Sequence, residues 1–111
     1  MNRSDLTGII LAGGKSSRMG SNKALVVYKD RMLIEYPIQL LNEFCSRILI
    51  STNENLPFPF PQVKDLFTDC GPMGGIISCL EQSETPYNLV LACDLPLLTR
   101  KFIEHLLKNI S

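Results

Sequence analysis

Apolar residues fall in short runs along this chain, set apart by polar, Gly-rich or Pro-rich stretches. Thr7 to Leu11 is continuous rather than alternating, the pattern of a short central strand covered on both faces. Lys23 to Tyr28 is a second apolar piece that ends in a turn at Lys29-Asp30-Arg31. A helix is expected from about Met32 to Phe44, because Ile34, Ile38, Leu41 and Cys45 recur at helical spacing. Pro37 belongs in the first turn, where its missing N–H costs little, which moves the start toward Ile34 or Glu35. Arg47 to Ser51 reads as the next strand, closed by the polar Thr52 to Asn55. Leu56 to Pro61 carries proline at every second position and reads as a stiff, extended surface connection. Val63 to Asp65 is expected as a short strand ending in a carboxylate. A Gly-rich segment, Thr68 to Gly75, leads into a helix with Ile76, Ile77 and Leu80 on its buried side, ending near Ser83. Asn88 to Cys93 is the clearest buried strand. Thr99 is the expected N-cap of a last helix whose apolar face is Phe102, Ile103, Leu106, Leu107 and Ile110.

Strands that alternate with helices imply an α/β fold with a mainly parallel sheet. Ligands of such sheets bind at the carboxyl ends of the strands. The segment after Leu11, the stretch Ser51 to Asn53, Asp65 and Asp94 are all expected at that one edge.

The segment after the first strand carries the most chemistry. It runs Leu11-Ala12-Gly13-Gly14-Lys15-Ser16-Ser17-Arg18-Met19-Gly20-Ser21-Asn22-Lys23-Ala24. Glycines let backbone approach a ligand closely. Successive N–H groups can form a concave anion site, and Arg18 can grip phosphate oxygens with two donors. It is neither of the two common phosphate loops. Gly14 to Gly20 is one residue too long for G-x-x-x-x-G-K-[ST], and the adjacent Gly13 and Gly14 break G-x-G-x-x-G.

Composition narrows the ligand. The 111 residues suffice for one domain, 1–111. Formal net charge is zero, so no general basic field draws nucleic acid or a membrane surface. Aromatic residues are few and Trp is absent, which argues against a platform for stacking single-stranded bases. No run approaches the ~20 apolar residues of a membrane span, and no signal peptide is expected at the start. Cys45, Cys70, Cys79 and Cys93 form no C-x-x-C pair, so a zinc or thioredoxin-type site is not supported. Three of them lie in or beside apolar runs, as small core residues would, and a reducing cytoplasm is the expected setting. The sole histidine, His105, is expected as a half-buried helix residue rather than a base. Asp69 is expected as a turn residue, and Lys15 as a solvated cation.

The loop resembles the signature L-A-[GA]-G-x-S-x-R-M-G-x-x-K of the nucleotidyltransferases at every defined position. The Gly13-Gly14 pair is similar to that of the molybdenum cofactor guanylyltransferases. Cys93-Asp94-Leu95-Pro96 and Gly71-Pro72-Met73-Gly74-Gly75 resemble two further segments of that family. The resemblance implies a Rossmann-like three-layer sandwich of the nucleotide-diphospho-sugar transferase type, in shortened form. It implies Mg²⁺-dependent transfer of GMP from GTP to the phosphate of molybdopterin, with release of pyrophosphate. It further implies that Leu11, Ala12, Gly13, Gly14, Lys23, Ser51, Asn53, Asp65 and Asp94 contact the nucleotide. Arg18, Lys23 and Asp94 would be catalytic, with Asp94 as the Mg²⁺ ligand. Ser51 departs from the Asn that many members carry there. Members of the family continue for a second half of similar size, so the chain resembles the nucleotide-binding half. A complementing second chain or a homo-oligomer would then supply the acceptor site. The alternatives are transfer to another phosphorylated acceptor, or a module that binds GTP without turnover.

Overall fold

A computed structural model of the chain describes residues 2–12, 25–53, 55–67 and 72–109. After a short 3₁₀ turn the described strands are β1 (Leu6–Leu11), β2 (Val27–Tyr28), β3 (Arg31–Met32), β4 (Arg47–Ser51), β5 (Gln62–Val63) and β6 (Tyr87–Ala92). The helices are α1 (Glu35–Phe44), α2 (Pro72–Gln82) and α3 (Arg100–Lys108). Four strands form one sheet in the order β5-β4-β1-β6, every neighbouring pair parallel. The strands β2 and β3 form a separate antiparallel hairpin.

The continuous apolar character of β1 follows from its central position. Successive side chains point to opposite faces, and both faces are covered. Leu6, Ile10 and Ala12 join Ile48, Ile50, Leu91 and Cys93 in the larger core, which takes in Leu41 of α1 and Ile103 of α3. Ile9 and Leu49 pack on the other face with Cys79 of α2, flanked by Leu11, Val63 and Val90. So α1 and α3 lie on one side of the sheet and α2 on the other. Gly8 lets α1 approach the sheet closely: a Cβ there would meet Leu41 Cδ1 at 2.9 Å and Cys45 Sγ at 3.3 Å.

Helix α1 begins at Glu35 and places Pro37 in its first turn, as the proline requires. Glu35 Oε2 accepts the Met32 N–H at 2.8 Å, tying the hairpin to the helix start. The Leu56–Pro61 connection is irregular, as expected, but it is anchored. Leu56 is buried, Phe58 and Phe60 pack against the larger core, and the Gln62 side chain exchanges two hydrogen bonds with the Leu56 backbone at 2.9 and 2.7 Å. Thr99 caps α3, its hydroxyl accepting the Phe102 N–H at 3.3 Å.

Several expectations are corrected. The first strand starts at Leu6 rather than Thr7, and the last sheet strand covers Tyr87–Ala92. The short strand before α2 is Gln62–Val63, so Asp65 lies beyond it. Arg31 and Met32 form a strand rather than part of a turn and helix start. In α2 only Ile76 of the expected buried face is even half-buried. Ile77 and Leu80 are exposed, at 36% and 43%, whereas Gly74, Gly75, Ser78 and Cys79 are buried. The helix lies close to the sheet on its small residues, which leaves its larger side chains outside. In α3, Ile103 is buried and Leu106 and Leu107 are half-buried, but Phe102 is exposed and so is His105. Ile110, Cys70 and Asp69 lie outside the described residues.

Candidate functional site

The register brings the carboxyl ends of all four sheet strands level. Leu11 stands opposite both Ser51 and Ala92, and Ser51 opposite Val63. The ladder runs one residue further: Ala12 N–H donates to Ser51 O at 2.8 Å, Cys93 N–H to Leu11 O at 3.1 Å, and Thr52 N–H to Val63 O at 3.0 Å. One step beyond that lie Asn53, Asp65 and Asp94, each two residues past the last paired residue of its strand. Three polar residues from distant parts of the chain thus leave the sheet at one height and one edge, where an open parallel sheet binds ligands.

Asp94 is exposed. Its neighbours hold its backbone down: Cys93 is buried at 7%, and Leu95 packs against the larger core. Among the described residues, no group bonds to its carboxylate. An exposed carboxylate on an anchored backbone is a hard oxygen donor free to take a cation.

Asp65 is half-buried and more firmly held. Its N–H donates to Asn53 Oδ1 at 2.9 Å, and its own Oδ1 accepts the Phe67 N–H at 2.7 Å. The first turn of α2 closes over it. A Cβ at Gly74 would lie 2.5 Å from Asp65 Oδ1 and 2.8 Å from Oδ2, so only glycine leaves the carboxylate this room. Beside it Ser78 accepts the Leu66 N–H at 3.0 Å and donates to Gly74 O at 2.9 Å.

Ser51 takes a different position. It is buried at 5%, and its hydroxyl lies under α2 against Gly75 and beside the Cys79 thiol. Burial pushes the Cys79 thiol up, and the hydrogen bond with Ser51 offsets part of that rise. The Ser51 contribution to the edge is its carbonyl, which receives Ala12. Ala12 itself is buried at 2% in the larger core, and Leu11 is half-buried on the α2 side. Gly13, Gly14, Arg18 and Lys23 lie outside the described residues.

Ser78 is the residue that sequence reasoning missed. Its signal is the run of small residues at 74, 75, 78 and 79, which is the spacing of one helix face. Among the described residues no cluster of three or more His, Cys, Asp or Glu is arranged to hold a metal, and no helix is long and apolar enough to cross a membrane.

Residues 8–111 match the family model of the MobA-like NTP transferase domain. The chain belongs to that family. It is 41% identical over 106 residues to a probable molybdenum cofactor guanylyltransferase of Flavobacterium johnsoniae, covering 94% of this chain and 56% of that one. It is 41% identical over 99 residues to the molybdenum cofactor guanylyltransferase of Ralstonia nicotianae, covering 84% of this chain and 48% of that one. The chain spans about half the length of these relatives. Among solved structures it is similar to a hypothetical transferase from Thermus thermophilus, with a TM-score of 0.74 and 28% identity over 100% of this chain and 48% of that one. The 2-C-methyl-D-erythritol 4-phosphate cytidylyltransferase of Thermus thermophilus shares the fold, with a TM-score of 0.70 and 20% identity over 95% of this chain and 47% of that one. The family's three-layer α/β architecture is therefore the architecture of this chain.

Proposed function

We propose that this chain is the nucleotide-binding part of a nucleotidyltransferase that moves GMP from GTP to the phosphate of molybdopterin. An acceptor phosphate oxygen attacks the α-phosphorus, the bond from that phosphorus to the β-bridging oxygen breaks, and pyrophosphate leaves with the electron pair. The single observation that carries this reading is the level exit of Asn53, Asp65 and Asp94 at the edge that begins the Leu11–Ala24 signature. The relatives' names supply guanine and the molybdenum cofactor.

The charge of the reaction collects on the triphosphate, so the protein's part is to position and to neutralise. Lys23 and Arg18 are the cations proposed for the phosphates. Leu11, Ala12, Gly13, Gly14 and Asp65 are proposed to line the nucleotide, with Ser51 and Asn53 supporting that edge. Mg²⁺ takes one or two carboxylates and completes its shell with water and phosphate oxygens. The exposed carboxylate of Asp94, without a partner among the described residues, fits that demand, and Asp94 would hold the ion. When bound, the ion would offset the negative charge that builds on the phosphates. GTP and a molybdopterin-type phosphate are the proposed partners, with a second chain or a second copy completing the acceptor site. A reducing cytoplasm is the proposed setting, in keeping with the buried thiols of Cys45 and Cys79.

The test is pyrophosphate release from GTP and Mg²⁺ with molybdopterin as acceptor, for the chain and for Asp94→Ala. Turnover by the chain, reduced about 100-fold or more in the variant at unchanged melting temperature, is the expected result, since loss of one electrostatic stabiliser of a transition state costs about that much. GTP binding without turnover on any acceptor would make the chain a binding module. Normal Mg²⁺-dependent behaviour of Asp94→Ala would remove Asp94 from the metal site.

A further inference from the structure

The segment leaving β5 spends three successive backbone N–H groups on side chains from three different places. Asp65 N–H goes to Asn53 Oδ1 at 2.9 Å, Leu66 N–H to Ser78 Oγ at 3.0 Å, and Phe67 N–H to Asp65 Oδ1 at 2.7 Å. Ser78 in turn donates to Gly74 O at 2.9 Å, so the α2 end of this arrangement is closed. A backbone N–H only donates, so the Asn53 atom that meets Asp65 is its carbonyl oxygen. Asn53 is exposed, packs into neither core cluster, and its one hydrogen bond among the described residues is to Asp65.

From this juxtaposition we infer that Asn53 is a positioning residue that acts through Asp65, with Ser78 as the second support of the same segment. The inference rests on the nucleotide reading of the site. Strand β5 is only two residues long. A strand that short fixes the direction of the chain two residues later poorly. The Asn53 bond bridges the end of β4 to the Asp65 backbone, and the Ser78 bond ties the next residue to α2. Between them the Asp65 carboxylate is held against Gly74, at one height with Asp94. Because the three N–H groups are already taken, this segment has only acceptors left for a ligand, and the Asp65 carboxylate is the strongest of them.

Mg·GTP affinity measured by titration calorimetry on the full chain, on Asn53→Ala, on Asp65→Ala and on the double variant tests this. Each single change is expected to weaken binding about tenfold, the worth of one hydrogen bond. The double variant is expected to bind no more weakly than Asp65→Ala alone, the mark of two residues acting as one. The ligand-free melting temperature of Asn53→Ala should stay that of the parent, while exchange of the Asp65 amide proton accelerates. A merely structural role would lower the melting temperature and leave the cycle additive. Multiplying effects, an unchanged affinity in Asn53→Ala or an unchanged affinity in Asp65→Ala overturns the inference and leaves the nucleotide reading standing. A parent chain that binds no nucleotide overturns both, even where the amide exchange shows Asn53 holding Asp65.

Discussion

At the scale of the residue, burial sets the chemistry of the cysteines. Cys45 lies at the end of α1 against β1, 1% exposed, and burial pushes its thiol up to about 11, with the Arg3 guanidinium pulling the other way. An unfolded thiol loses its proton near 8.5. Between those values the folded protein binds the proton more tightly than the unfolded chain does, so stability falls as pH rises. The Cys45 contribution is complete below about pH 8.5 and is lost by about pH 11. Urea unfolding followed from pH 7 to 11 should show a steeper alkaline decline for the parent than for Cys45→Ala, by up to about 2 kcal/mol across that window. Parallel curves would show that burial does not raise the Cys45 thiol above its unfolded value. The same residue scale marks where the sequence was legible. Asp94 and Asp65 were expected at the carboxyl edge of the sheet from their places just past apolar runs, and both lie at that edge. Ser51 was expected at the same edge and its backbone is there, but its side chain is under α2. Strand pairing fixes how far along the sheet a residue sits, while the inward or outward turn of its side chain depends on which helix covers that face.

At the scale of the element, the β2–β3 hairpin turns on Lys29 and Asp30, both with positive φ, at 50° and 70°. Two-residue hairpin turns of this kind favour Asn-Gly or Asp-Gly, because left-handed backbone is costly for residues with a Cβ. The strain is offset locally. Lys29 Nζ sits 5.4 Å from the Tyr28 ring centre, Arg31 lies 5.0 Å from that of Tyr36, and the Tyr36 hydroxyl donates to the Tyr28 carbonyl. Asp30→Gly should therefore raise stability by about 1 kcal/mol, read as a higher urea midpoint at unchanged slope. A lower midpoint would mean that the Asp30 side chain stabilises the turn by more than its backbone costs. The sequence announced a turn here but not the strand after it, because two residues are too few to show a period. It misjudged α2 for a related reason. A helix is usually read by its large apolar stripe, yet Gly74, Gly75, Ser78 and Cys79 face the sheet because small residues allow the closest approach. The longer elements, β1, β4, β6 and α1, were legible within about a residue or two at their ends, as boundaries allow.

At the scale of the whole molecule, the sheet order β5-β4-β1-β6 is what brings Asn53, Asp65 and Asp94, far apart in sequence, to one edge. The order puts β1, which leads into the Gly-rich signature, between the strands that deliver Asn53 and Asp94, with Asp65 one strand further out. The alternation of strands and helices predicted a parallel sheet, and the motifs predicted which end of it matters. The order itself was not legible, since parallel neighbours are fixed by how α1, α2 and α3 cover the two faces rather than by any local pattern. The most direct measurement of the central claim is a thermal-shift series with GTP, CTP, ATP and UTP, each with and without Mg²⁺. A ligand at about 100 times its dissociation constant adds ~2.7 kcal/mol of stability. A guanine-nucleotide site at this edge gives a raised melting temperature with GTP and Mg²⁺ together, and a smaller response to the other nucleotides or to GTP alone. An unchanged melting temperature with every nucleotide at millimolar concentration would contradict it.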